Sequence, residues 1–126
     1  MRLLAFNEGH QPRIGALSDA GVVNLSRIDA AAPTDLGAEV KAGKLADIAA
    51  ILERADGAVH HQLDDLDLQL PVATPGKILC LGLNYMDHIA EGPFEKQPFP
   101  AIFMRSPTSL VPANKPILAP RMSNSM

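Results

Sequence analysis

The chain has 126 residues, of which 47% are apolar and 20% charged, with a formal net charge of −3. That is enough apolar side chain for a core, so disorder is excluded as the main state. No run of about 18 apolar residues occurs, so no membrane-spanning helix and no membrane partner are expected. The first residues, MRLLAFNEGHQPR, lack a long apolar stretch and a small-residue cleavage site, so no secretory signal is expected. The single cysteine, Cys80, excludes an intramolecular disulfide and fits a reducing compartment. A cytoplasmic location is the expectation.

Charge is unevenly placed. Residues 1–75 hold 6 Lys/Arg and 11 Asp/Glu, net −5, whereas residues 76–126 hold 5 and 3, net +2. From Pro93 onward there are 7 prolines and no glycine in 34 residues, and no acidic residue follows Glu95. Chemistry that needs carboxylates must find them before residue 96. The small positive excess can attract a small anion. It is too weak for a basic stripe, so no nucleic-acid partner is expected.

In chain order, short strands are predicted at residues 2–6, 13–17 and 22–25, separated by turn clusters at 7–11 and Ser18-Asp19-Ala20-Gly21. They form a small antiparallel meander, which needs a partner surface because isolated hairpins are marginal. A helical turn is predicted near 26–32, with Pro33 as a breaker. Leu45, Ile48, Ala49 and Leu52 recur at helical spacing on one face, and Gly57 sits where that helix would end. The adjacent His60 and His61 point apart on any regular element and read as surface residues, not as metal ligands. His10 falls in a predicted turn. The acidic stretch around Asp64, Asp65 and Asp67 reads as a solvated connection. Pro71 to Gly76 mark a boundary by composition. Beyond it, residues 78–81 form a continuous apolar run suited to a buried strand, with Cys80 as a small core residue within it. The proline-rich end reads as extended, with a strand at 101–104.

The strand at 78–81 runs into Gly82-Leu83-Asn84-Tyr85-Met86-Asp87-His88-Ile89-Ala90-Glu91-Gly92. Asn84 suits a helix N-cap, Asp87 the positive first turn, and Gly92 a stop. The result is a helix of about two turns. His88 and Glu91 lie three residues apart on one face of it. Such a pair most often makes only a weak surface contact. It can also orient an imidazole, share a water and act as a general base near neutral pH. A dinucleotide fold is rejected, because Gly82 stands alone without the G-x-G-x-x-G fingerprint.

The run Lys77-Ile78-Leu79-Cys80-Leu81-Gly82-Leu83-Asn84-Tyr85-xx-His88-xx-Glu91 resembles the opening of the catalytic domain of the fumarylacetoacetate hydrolase family. So does Pro98-x-Pro100-Ala101-Ile102-Phe103-Met104-Arg105-Ser106-Pro107-Thr108-Ser109-Leu110-Val111 with Ile117-x-x-Pro120. The resemblance covers about residues 76–123. It implies an α+β chain, mainly β with short helices. Residues 1–70 would be a small N-terminal domain, 71–76 a linker, and 77–126 the incomplete beginning of a rolled β catalytic domain.

The family acts on small anionic 2-oxo or 1,3-dioxo acids by hydrolysis, decarboxylation, hydration or isomerisation. Acylpyruvate-type C–C hydrolysis is the leading expectation. The resemblance assigns catalysis to His88 and Glu91, and substrate contacts to Arg105, Thr108 and Ser109. Arg105 stands where a lysine is common, and a planar bidentate cation is not a neutral exchange. Thr108 and Ser109 could equally cap a turn. Members bind Mg²⁺ or Mn²⁺, in some cases Ca²⁺, and are usually homodimers.

The family's metal ligands, a Glu-x-Glu pair and a later acid, have no counterpart here. Hard divalent cations need such oxygen ligands. No metal ligand is therefore assigned in this chain, which is expected to be inactive alone. The alternative is a non-catalytic truncated remnant, or an interaction module that mediates dimerisation.

Overall fold

The computed structural model describes residues 1–93, 95, 96, 98–119, 121 and 122. Pro120 of the second family-like block lies outside the described residues. The fold is α+β, with two antiparallel sheets and short helices. Contacts divide the chain into two units: residues 1–73 with the described part of 111–126, and residues 74–110.

The first unit contains β1 (Arg2–Glu8), β2 (Gln11–Leu17), β3 (Val22–Asn24) and β4 (Asp67–Gln69), in the sheet order β3-β2-β1-β4. The meander predicted from the sequence is there, with the first two strands each two residues longer at the turn between them and the third one residue shorter. Gly9 closes the first hairpin at φ +63°, a left-handed value that costs glycine little. Ser18 and Gly21 exchange main-chain bonds of 2.9 and 3.3 Å across the second turn.

The register decides which side chains share a face. Leu3 lies opposite Ala16 and Ala5 opposite Ile14. On this face Ile14 joins Leu25, Ala32, Leu36, Ile48 and Ile51 in the core. Those residues come from α1 (Leu25–Ile28), α2 (Leu36–Ala42) and α3 (Leu45–Glu53), or from the loop between them. The other face carries Leu4, Phe6 and Val22 around Gly15. A methyl on Gly15 would sit 2.8 Å from Val22 and 3.0 Å from Leu4, so only hydrogen fits there.

Three expectations are corrected in this unit. The helix predicted from 45 to 57 ends at Glu53, and its buried residues are Ile48 and Ile51, while Leu45 is exposed. Ile51 joins Ile48 in the core cluster and Leu52 packs against it, so the buried stripe runs through these three and leaves Leu45 out. The helix α2 does not figure in the predicted elements. It is capped by Asp35, whose carboxylate accepts from the Ala38 N–H at 3.0 Å, and it is stopped by Gly43 at φ +70°. The acidic stretch is not all connection. Asp67–Gln69 pairs with β1, setting Phe6 opposite Leu68.

The second unit is built on a two-stranded antiparallel sheet of β5 (Ile78–Gly82) and β6 (Ala101–Arg105). Ile78 lies opposite Arg105 and Gly82 opposite Ala101. Between the strands runs α4 (Met86–Ala90). The apolar run at 78–81 is not a buried strand. Leu79 and Leu81 face outward with Ile102 and Met104, all of them more than half exposed. Cys80 is half-buried, not a core residue, and lies opposite Phe103. Period-2 alternation is present, but only one side of the ribbon is partly covered.

Candidate functional site

The site is built where β5 gives way to α4. Gly82 ends the strand, and the next residue, Leu83, takes a left-handed φ of +50°. That conformation is costly for a branched side chain, by roughly 1–2 kcal/mol, and it redirects the chain into the helix. Asn84 is not the cap that its residue type predicts. The N-cap position falls on Tyr85, and no side chain caps the helix. The helix has five residues rather than two turns. Gly92 follows its end, and its N–H reaches the Ile89 carbonyl at 3.4 Å.

His88 lies in the last turn of α4 and Glu91 at its C-cap position. Both side chains are exposed. Among the described residues no hydrogen bond or ion pair joins them. Their carboxylate and imidazole are therefore free to meet a ligand, and their three-residue spacing keeps them on neighbouring parts of one helical turn.

The same unit holds a cleft of about 280 Å³ lined by Leu83, Asn84, Met86, Ile89, Lys96 and Ala101, among others; Met86 and Ile89 turn to it, and His88 and Glu91 are not part of its lining. Lys96 and the uncapping Asn84 bring a cation and an amide to this cleft. The sequence treated Asn84 only as a cap and did not single out Lys96. Lys96 left no signal in the sequence, because residues 77–96 hold two lysines against Asp87, Glu91 and Glu95.

Arg105, Thr108 and Ser109 lie elsewhere in the unit. Arg105 pairs with Ile78, at the end of the ladder remote from Gly82 and Ala101. Four strand steps separate the two ends, about 13 Å. Thr108 and Ser109 belong to a short 3₁₀ turn, Pro107–Ser109, whose N-cap is Ser106. The Thr108 hydroxyl pairs with Ser106 Oγ at 2.8 Å, and the Ser109 hydroxyl donates to the Ser106 carbonyl at 2.7 Å. The structure thus groups His88 with Glu91, and Arg105 with Thr108 and Ser109, at opposite ends of one ribbon.

Perturbed carboxylates are found in the first unit. Arg27, bonded at 2.7 Å, holds Glu8 below the usual carboxylate range, with help from His61 and Arg13 and against burial. Arg54 does the same for Asp29, and Lys115 with Asn7 for Asp67. Each is tied to a structural partner, so none reads as a catalytic acid.

Two histidines read as surface residues are in fact built into this unit. His61 packs edge-on against Phe6 at 5.5 Å, and His60 Nδ1 accepts the Asn24 N–H at 3.0 Å. Among the described residues no three His, Cys, Asp or Glu side chains are placed to hold a metal ion. With no acid after Glu95, the donor set does not fit a hard divalent cation, and no step is routed through one.

No family profile matches the chain. Individual relatives do. A mitochondrial oxaloacetate tautomerase of Xenopus laevis is 31% identical over all of this chain and 41% of its own length. A mitochondrial oxaloacetate tautomerase of Homo sapiens is 30% identical over 96% of this chain and 40% of its own length. A fumarylacetoacetate hydrolase domain-containing protein of Pongo abelii is 31% identical over 96% and 40%. The chain is a fumarylacetoacetate hydrolase family sequence, matching the N-terminal portion.

It spans about two fifths of the length of these relatives. The match runs through both units, so the meander and helices of the first belong to the family likeness as much as the His88 segment does. Among the described residues of this family sequence, no helix is long and apolar enough to cross a membrane.

Proposed function

We propose that this chain carries the proton-transfer part of a fumarylacetoacetate hydrolase-type enzyme acting on a small anionic 2-oxo or 1,3-dioxo acid. The observation that supports this most is the exposed His88–Glu91 pair, about one helical turn apart in the segment that follows β5. A neutral imidazole takes a proton from carbon or from water, and a carboxylate near it stabilises the charge that results.

Relatives named oxaloacetate tautomerase make keto–enol isomerisation of a 2-oxo acid the leading reaction. It breaks a C–H bond next to the carbonyl and forms an O–H bond on the carbonyl oxygen, the proton passing through a base such as His88, and it cleaves no C–C bond. Acylpyruvate-type C–C hydrolysis uses the same pair to activate water and is the second arm of the assay. In this reading residues 77–126 open the catalytic domain, and Arg105, Thr108 and Ser109 contact substrate only if another part of the site spans the ribbon. Mg²⁺ or Mn²⁺ is assigned to the longer family proteins and not to residues of this chain. The proposed homodimer is tested by light scattering, and the cytoplasmic location, against relatives named mitochondrial, by fractionation.

A second reading has its own support. The ribbon leaves an apolar face uncovered at Leu79, Leu81, Ile102 and Met104, which suits a dimerisation module.

A chimera separates the two. Residues 1–126 replace the matched portion of the Xenopus laevis oxaloacetate tautomerase, and turnover is measured with added Mg²⁺. The enzyme reading expects activity that falls by about 10²–10⁴-fold in His88→Ala. A folded chimera whose activity ignores His88 would sink it. The 126-residue chain alone is expected to show no turnover of oxaloacetate or acylpyruvate.

A further inference from the structure

We propose that His60 is a proton-operated latch on the outer edge of β3. One edge of β3 pairs with β2, and the other faces residues 58–62. Val22 donates its N–H to the His61 carbonyl at 2.9 Å, and its own carbonyl accepts from the N–H groups of His60 and His61 at 2.9 and 3.2 Å. Asn24, two residues on, directs its N–H to the same edge. The acceptor it meets is not a carbonyl but His60 Nδ1, at 3.0 Å. An imidazole nitrogen completes the ladder where the main chain does not.

That bond has no substitute nearby. Asn24 is fully buried. Its Oδ1 is engaged with the Ser26 N–H at 3.0 Å, and its Nδ2 is buried with no hydrogen-bond partner among the described residues. A buried donor left unpaired costs far more than the net value of a bond made. Nδ1 accepts only while the ring is neutral and its hydrogen is on Nε2. Protonation sets one N–H against another.

The charged groups near this segment come from every neighbouring element: Glu8 on β1, Arg13 on β2, Arg27 on α1, and His61 beside it. They converge on the Glu8 carboxylate, Arg27 at 2.7 Å, Arg13 at 3.5 Å and His61 at 3.6 Å. Two guanidinium groups already match that carboxylate, so it has no charge left over to hold a protonated His60. His61 acts in the opposite sense, since its protonation strengthens the contact with Glu8. Acid therefore breaks the Asn24–His60 bond through His60 alone and opens the edge of β3 at Asn24, while the main-chain bonds of Val22 stay in place.

The test uses the full 126-residue chain, labelled with ¹⁵N. At about pH 7.5, imidazole ¹⁵N shifts are expected to show His60 with bare Nδ1 and protonated Nε2. Amide exchange at Asn24, corrected for its intrinsic rate, is expected to lose at least about tenfold protection between about pH 7.5 and pH 5. His61→Gln is expected to keep that loss. His60→Asn puts a non-titrating oxygen near the place of Nδ1 and is expected to abolish the pH step. A protonated Nδ1 at neutral pH, or equal Asn24 protection in the unsubstituted chain at both pH values, overturns the latch. So does a pH step that survives in His60→Asn.

Discussion

Phe6, Ile14, Leu25 and Ile48 of the first unit have no exposed surface, whereas Leu79, Ile102 and Met104 of the second leave 62–64% of theirs open. Both units start from the same device, an antiparallel hairpin with apolar residues alternating along it. Main-chain pairing is satisfied in each, so pairing does not account for the difference. What differs is the layer laid across the strands. The first sheet is packed by three helices on one face, with His61 set edge-on against Phe6 of the other. The ribbon β5–β6 has only α4 and loops. Burial of apolar area, at roughly 25 cal/mol per Å², is the term the second unit lacks. A strand's register can therefore be encoded locally while its stability is not.

The sharpest way to break this comparison is a pair of matched substitutions. Ile48→Ala is expected to lower the unfolding free energy by about 2–5 kcal/mol in a urea titration. Ile102→Thr is expected to change it by no more than about 0.5 kcal/mol. Equal costs would mean that the ribbon is covered in solution. Gly15→Ala comes next, at about 1–3 kcal/mol, because its methyl must displace Val22 or Leu4. A full-strength β1–β2 hairpin in that variant would show that the second face of the sheet yields more readily than its spacing implies.

A third substitution probes the bare face itself. Leu81→Lys with Ile102→Lys is expected to leave the fold intact while reducing self-association by light scattering, since an open apolar ribbon is an association hazard. No change in association would remove the hazard from the second unit.

The smallest effects are electrostatic. Glu8 titrates below the ordinary glutamate value chiefly because of Arg27. Its contribution to stability is complete above about pH 4.3, the ordinary value, and is lost as pH falls through the lower folded value. Arg27→Ala is expected to raise the Glu8 midpoint in a carboxyl ¹³C titration and to shrink that acid-sensitive part. Lys115→Ala removes an exposed pair with Asp67, and its effect is expected to vanish in high salt.

Much of this architecture was legible in the residues. Turn chemistry at Gly9 and at Ser18 to Gly21 placed three strands, and the apolar runs placed β5 and β6. The helix α3 was legible as an element, and its buried face in part: Ile48 is buried and Leu52 packs against the core, but Leu45 is exposed and Ile51 is buried. Leu45 and Ile51 are equally apolar, and only the packing of the core decides between them. The capping pair Asp35 and Gly43 marks α2, yet Leu36 and Val40 are too few to make a period. Asp67 looked solvated because its partners Asn7, Gln69 and Lys115 are far away in sequence or uninformative beside it.

At the site, the short helix that carries His88 and Glu91 was legible from the residues around it, although not its length or its cap. That Arg105, Thr108 and Ser109 lie at the other end of the ribbon follows from register, which the residues alone do not reveal. The roles of His60 and His61 were hidden for a related reason. A side chain that completes a ladder leaves no mark on periodicity.

The position of β4 carries one more consequence. It is the fourth strand of its sheet in sequence but lies beside the first, so that Ala5 meets Gln69. A ribosome must deliver roughly 60 further residues after β1 before that edge of it is closed, several seconds at ordinary elongation rates. Through that interval Phe6 and its neighbours wait beside an unpaired edge. The nascent chain is then exposed to misassociation at β1, and a chaperone that samples emerging chains would meet this edge before β4 covers it.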